Sequence, residues 1–184
     1  MAGRVHDRAI LDALGSIAEE SVDTRVWRVI RKGREPLRGS AAGGRWSPVG
    51  EFEVLYTSFE RHGALAEIGY RLSLEPVWPS RLEHELHAFD VRTERSLRFA
   101  NLDQLAPLGV DIARYQSFEY AATQAIAAAA HFLEFDGLIV PSARHDCFNF
   151  VLFLDLLSGN HIEVASSEAV NWTDWRQRRR SART

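Results

Sequence analysis

The sequence predicts one domain of the α+β class. Stretches rich in β-branched and aromatic residues alternate with helix-periodic stretches along the whole chain, and no repeat or shift of composition marks a boundary. A length of 184 residues, with 46% hydrophobic and 26% charged residues, suffices for one buried core and excludes a disordered or collagen-like chain. Cys147 is the only cysteine, which excludes a disulfide framework and any zinc site needing several thiolates. No run of 18 apolar residues appears, and MAGRVHDRAILDALGSIAEE lacks the apolar stretch of a signal peptide, so the expectation is a cytoplasmic protein with no membrane span.

The elements follow in order. Val5, Ala9, Ile10, Leu14, Ile17 and Ala18 share one helical face, predicting an amphipathic helix within residues 1–22 that packs on the body. Thr24 to Ile30 reads as a strand, with Val26, Arg28 and Ile30 on one face. Gly33 to Gly50 is rich in Gly, Pro and Ser and reads as a long loop tethered by Trp46. A second strand is expected over Glu53 to Thr57. Ser58 is then expected to cap a helix from Arg61 to Leu72, with an incomplete capping box because Arg61 stands at its fourth position.

Leu86 to Val91 alternates as a strand, and Leu97 to Leu108 is turn-rich. Seven alanines between Ala121 and Ala130 predict a helix over Phe118 to Phe132. Asp136-Gly137 turns out of it into a short buried strand, Leu138 to Val140, stopped by Pro141. Asn149 to Leu157 and His161 to Val164 read as further strands, and residues 173–184 as a solvated basic tail.

The formal net charge of −3 conceals a bias: Lys32 is the only lysine beside 21 arginines, five of them in the last nine residues. Arginine grips phosphate and carboxylate through two parallel bonds, although genomic base composition alone can produce the same excess. Position must therefore decide which arginines matter. Gly43-Gly44-Arg45-Trp46 combines small residues that admit close backbone approach, a guanidinium, and a ring able to stack on a base or pyridine. The loop fits neither G-x-G-x-x-G nor the Walker A pattern, and taken alone it reads as a flexible surface loop.

Glu67 interrupts an apolar helical run, and the spacing leaves it open between a solvated carboxylate and a pocket one. Ser142 follows a strand end without a G-x-S-x-G elbow, which alone reads as a turn serine. The seven histidines include no metal-binding spacing, so no metal is expected. No helix-turn-helix or stacked-aromatic motif accompanies the terminal arginines, which disfavours a nucleic-acid substrate.

Taken together, R-V-W-R-V, G-S-A-A-G-G-R-W-S-P-V-G, V-L-Y-T-S, A-L-A-E and L-I-V-P-S followed by Asn149 resemble the RES-domain family of bacterial toxins, over about Thr24 to Leu157. The resemblance implies an ADP-ribosyltransferase-like fold, a split, twisted β-sheet core flanked by helices. It implies an enzyme that breaks the nicotinamide–ribose bond of NAD⁺, either transferring ADP-ribose to a protein or degrading NAD⁺ by hydrolysis or phosphorolysis. It also implies a partner antitoxin with an Xre-type DNA-binding domain that occludes the active site.

By the same resemblance Glu67, Arg28, Tyr56 and Ser142 are catalytic candidates, and Arg28, Gly44, Arg45, Trp46, Tyr56 and Asn149 candidate NAD⁺ contacts. Val29 after the strand arginine and R-W-S-P in place of R-W-N-P depart from the common pattern. Leu65 stands where many arginine-specific transferases carry a second glutamate. The competing expectation is a non-catalytic nucleotide- or nucleic-acid-binding protein that uses the Arg-rich loop and tail.

Overall fold

The long central strand organises the sheet. In the computed structural model, which describes residues 5–158 and 161–181, the chain runs α1 (Arg8–Ser16), β1 (Glu20–Arg31), β2 (Val54–Ser58), α2 (Arg61–Ser73) and β3 (His84–Arg98). Three short 3₁₀ turns follow over 102–114, then α3 (Ala121–Phe132), β4 (Gly137–Pro141), β5 (Phe148–Phe153), β6 (Ile162–Ala169) and α4 (Trp172–Ser181).

One edge of β3 pairs antiparallel with β1 from Arg31↔His84 to Glu20↔Ser96. The other edge serves two neighbours in succession, β6 along Glu85 to Val91 and then β4, in parallel, along Ser96 to Arg98. β4, β5 and β2 continue antiparallel, and β2 meets β1 at the single pair Trp27↔Ser58. The sheet is therefore split where β1 and β2 diverge, as the ADP-ribosyltransferase-like expectation requires.

Period-two alternation explains the core. Leu138 and Val140 of β4, with Val151 and Phe153 of β5, face a cluster with α3, Leu14 of α1 and Trp46. Ile139, Phe150 and Leu152 face the opposite side with Val26, Leu55 and Phe89. Strands buried on both faces read as continuous apolar runs, which is the pattern of LIV and FVLF. Ala127 to Ala130 are all buried, so the alanine-rich face lets α3 lie close on the sheet.

Several boundaries differ from the sequence expectation. The N-terminal helix does not fill residues 1–22: it spans Arg8–Ser16, its first turn capped by Asp7, whose Oδ1 accepts from the Ala9 amide at 2.8 Å. Glu20 to Asp23 belong instead to β1, where Asp23 lies opposite Arg92 and pairs with it at 2.8 Å, and Glu20 pairs with Arg98 at 2.8 Å. Ser58 is not the cap of α2; it ends β2, and Glu60 stands at the cap position with no side-chain bond. β3 is much longer than Leu86 to Val91. Its distal half carries the alternation Arg92, Glu94 outward and Thr93 inward, a polar–polar pattern that hydrophobic periodicity misses.

The basic tail is likewise corrected, because Trp172–Ser181 is a helix docked on the body. Trp172 is buried and its Nε1 donates to His84 Nδ1 at 3.1 Å, while the Trp175 ring lies directly over Gly69 of α2. Residues 182–184 lie outside the described part.

Candidate functional site

A cavity of about 270 Å³ opens where β1 and β2 part, walled by Trp27 to Val29, Tyr56 to Ser58, α2, the Gly-rich loop and the segment before α3. α2 presents Glu67 to it. The helix can approach because Gly63 lies against Ser58 Oγ and Cys147 Sγ, leaving no room for a Cβ. Glu67 Oε1 accepts two hydrogen bonds, from Ser142 Oγ at 2.8 Å and from Asn149 Nδ2 at 2.9 Å. Oε2 has no hydrogen-bond partner among the described residues.

Ser142 stands just beyond β4 and Asn149 is the second residue of β5, adjoining positions of the strand pair that joins them. Ser142 Oγ also accepts from the Arg144 amide at 3.2 Å, so its single proton is committed to Glu67. Of the two sequence readings of Glu67, the structure supports the pocket carboxylate.

The Gly-rich loop is a fixed wall rather than a flexible surface loop. Gly44 and Ser47 bond across a tight turn at 3.0 and 3.4 Å. Tyr56 Oη accepts from the Trp46 amide at 3.0 Å and donates to Ser47 Oγ at 3.1 Å, and Gln124 Nε2 donates to Gly44 O at 2.8 Å. A Cβ on Gly44 would stand 2.7 Å from Tyr56 Oη, so glycine is required here for close packing. Burial pushes the Tyr56 phenol above its ordinary pKa. Trp46 is 3% exposed and packs in the core as the loop's tether, and it also lines the cavity.

Two groups of arginines differ in their partners. Seven pair with carboxylates, namely Arg8, Arg25, Arg61, Arg92, Arg95, Arg98 and Arg114, and none of these lines the cavity. The four that do, Arg28, Arg45, Arg71 and Arg144, have no ion pair to a carboxylate among the described residues. Arg28 Nη1 donates to the carbonyls of Pro36 and Arg38 at 2.9 and 3.0 Å, and burial pushes its pKa down to about 10. Arg45 lies over the rings of Tyr115 and Tyr120, 4.6 and 5.0 Å from their centroids; its Nη2 donates to Ser117 O at 3.2 Å and its Nη1 is buried with no hydrogen-bond partner among the described residues.

Of the residues singled out from sequence, Arg28, Gly44, Arg45, Trp46, Tyr56, Glu67 and Asn149 line one cavity, and Ser142 joins them through its bond to Glu67. Sequence reasoning missed Tyr70, Tyr115, Phe118, Tyr120 and Arg144. The signal for three of these was present as the aromatic spacing of RYQSFEY in an otherwise polar, irregular stretch. Tyr115 is buried, its Oη donates to Pro141 O at 2.8 Å, and burial pushes its pKa up.

Among the described residues no group of three or more His, Cys, Asp or Glu is placed to hold a metal ion, and no helix is long and apolar enough to cross a membrane. Residues 25–173 match the RES domain. A chain of the M. tuberculosis MbcT–MbcA toxin–antitoxin complex is similar in structure, with a TM-score of 0.82 over 93% of this chain and 97% of that one. The two share 17% of their residues, so the likeness is one of fold. No curated protein sequence matches the chain.

Proposed function

The chain belongs to the RES-domain family, and on that premise we propose that it is an NAD⁺-consuming enzyme, the toxin of a toxin–antitoxin pair. The observation that carries the reading is Glu67. Its Oε1 is held by two neutral donors, Ser142 and Asn149, inside a cavity whose other charged walls are arginines without carboxylate partners among the described residues.

Breaking the nicotinamide–ribose bond sends the bonding electron pair to the pyridinium nitrogen, so nicotinamide departs neutral and needs no acid. The ribose carbon becomes oxocarbenium-like, as in glycoside hydrolysis, and a fixed anion beside it stabilises the developing charge. Glu67 supplies that anion, and its Oε2 accepts a hydrogen bond from a ribose hydroxyl.

Arg28 and Arg45 hold the diphosphate, while Gly44 admits it close to the backbone. Tyr56 packs at the nicotinamide end and keeps the loop in place. Trp46 contributes as the loop's anchor, and Ser142 and Asn149 act through Glu67, which they orient. The cation is then captured by a nucleophile that loses its proton: water, phosphate or a side chain of a target protein. The partner is an antitoxin with an Xre-type DNA-binding domain that covers the cavity mouth.

Incubation of purified protein with NAD⁺, followed by chromatography, tests the reading: nicotinamide is released with multiple turnovers. Stoichiometric NAD⁺ binding without release would instead identify a nucleotide-binding protein. Adenine-labelled NAD⁺ with cell lysate resolves the acceptor, since label on a protein band marks transfer, and label in free ADP-ribose or its 1-phosphate marks degradation.

A further inference from the structure

Beyond Ser142 the β4–β5 turn carries a second polar group into the cavity. The Arg144 guanidinium lies 3.6 Å from the centroid of the Tyr70 ring on α2 and 5.9 Å from that of Phe118. Its Nη2 donates to the carbonyl of Gln116 at 2.8 Å. The next carbonyl of that segment, Ser117 O, takes Arg45 Nη2 at 3.2 Å. Two arginines from separate loops thus hold adjacent carbonyls of one strand-less segment at the cavity wall.

Neither arginine has a carboxylate partner among the described residues, in contrast to the seven that pair with carboxylates away from the cavity. A guanidinium has five N–H donors, and among the described residues Arg144 engages the protein through a single side-chain hydrogen bond and ring faces. The geometry points to Arg144 as a further diphosphate-gripping residue of the pocket, the Gln116 carbonyl occupying the place of a ligand oxygen. This inference rests on the reading of the pocket as a dinucleotide site.

When the ligand enters, Arg144 exchanges a neutral acceptor for an anionic one, a bond about twice as strong, while its flat face stays on Tyr70. The same turn couples this grip to the reacting centre. The Arg144 amide donates to Ser142 Oγ, and Ser142 Oγ donates to Glu67 Oε1, so the residue that binds the diphosphate also fixes the serine that orients the carboxylate. A lysine cannot substitute, because a tetrahedral ammonium neither stacks on Tyr70 nor offers a planar fork.

The test titrates ADP-ribose into the wild-type protein and into Arg144→Ala, Arg144→Gln and Arg144→Lys, with adenosine as a competitor that lacks the diphosphate. Kinetics of nicotinamide release are measured in parallel. ADP-ribose affinity falls at least about 10-fold in all three variants while adenosine competes equally well. KM rises in the same proportion and kcat stays within about threefold, the signature of lost uniform binding.

Wild-type ADP-ribose affinity in Arg144→Ala overturns the inference, as does an equal loss for adenosine, which would mark a collapsed wall, or failure of the wild type to bind ADP-ribose. The outcomes separate it from the reading beneath it. Arg144-dependent ADP-ribose binding without nicotinamide release removes the enzyme and leaves the grip. Nicotinamide release with an unchanged KM in Arg144→Ala removes the grip and leaves the enzyme.

Discussion

Glu67→Gln isolates the charge of the carboxylate from its geometry, because the two donors that hold Glu67 decide how the new amide sits. Ser142 Oγ and Asn149 Nδ2 both donate to Oε1. The amide oxygen must take that position, since the reverse orientation would set its NH₂ against the NH₂ of Asn149. The amide nitrogen therefore occupies the Oε2 site, a neutral donor where the wild type offers an anionic acceptor. Both hydrogen bonds survive, so stability changes by less than about 1 kcal/mol.

The electrostatic loss is much larger. A unit charge about 4 Å from a developing cation, at an effective dielectric of about 20, contributes about 4 kcal/mol. At about 1.4 kcal/mol per tenfold, that is a fall of about 1000-fold in the rate of nicotinamide release. Single-turnover release at saturating NAD⁺, with thermal unfolding as the control, measures both quantities. A rate within tenfold of wild type would remove Glu67 from the chemistry, and a matching drop in melting temperature would show that the amide had instead broken the site.

Three further outcomes are expected. Tyr56→Phe strands the Trp46 amide, bonded to Tyr56 Oη at 3.0 Å, and lowers stability by about 1–3 kcal/mol. It also changes the alkaline limb: burial raises the Tyr56 and Tyr115 pKa values, so the folded chain keeps protons the unfolded chain releases near pH 10, and stability that is full below pH 10 falls above it. Arg28, pushed down to about 10 by burial, acts in the opposite sense above that pH, so the decline is partly offset. Urea midpoints at pH 9, 10 and 11 should fall less steeply in Tyr56→Phe, and equal slopes would refute the assignment.

Gly69→Ala drives a Cβ into the Trp175 ring, costs about 1–3 kcal/mol and lowers the melting temperature by several degrees, with faster tryptic cleavage in α4; an unchanged melting curve would show that α4 is not docked there. Asp136→Ala frees the Glu94 and Arg95 amides, bonded to Asp136 Oδ2 at 2.7 and 2.8 Å, and costs about 1–3 kcal/mol by denaturant unfolding. Asp136→Asn, which keeps an acceptor oxygen, recovers part of the loss.

How legible the molecule is in its sequence depends on whether the informative contacts are local. α2 was readable almost to the residue because its apolar face and its one intruding carboxylate lie within a few turns of each other. The alternation of β4 and β5 was readable for the same reason. α4 was not, because Arg176, Arg178, Arg179 and Arg180 make it polar all round except for Trp172 and Trp175, and what holds it is a missing side chain at Gly69 in a distant helix. Arg144 was unreadable because its partner Tyr70, on α2, is brought to it only by the fold.

The division among the arginines gives the site its chemical logic. Were Arg28 or Arg45 paired to Glu67, each charge would cancel the other, leaving little field for a diphosphate or for a developing cation. The fold prevents this by giving Glu67 two neutral donors and giving the cavity arginines carbonyls and ring faces. Such partners leave net charge uncompensated, and the unpartnered Nη1 of Arg45 and the depressed pKa of Arg28 register the cost. A dinucleotide with a diphosphate at its middle and a cationic ring at one end relieves both imbalances at once, which a free phosphate or a simple nucleic-acid strand would not.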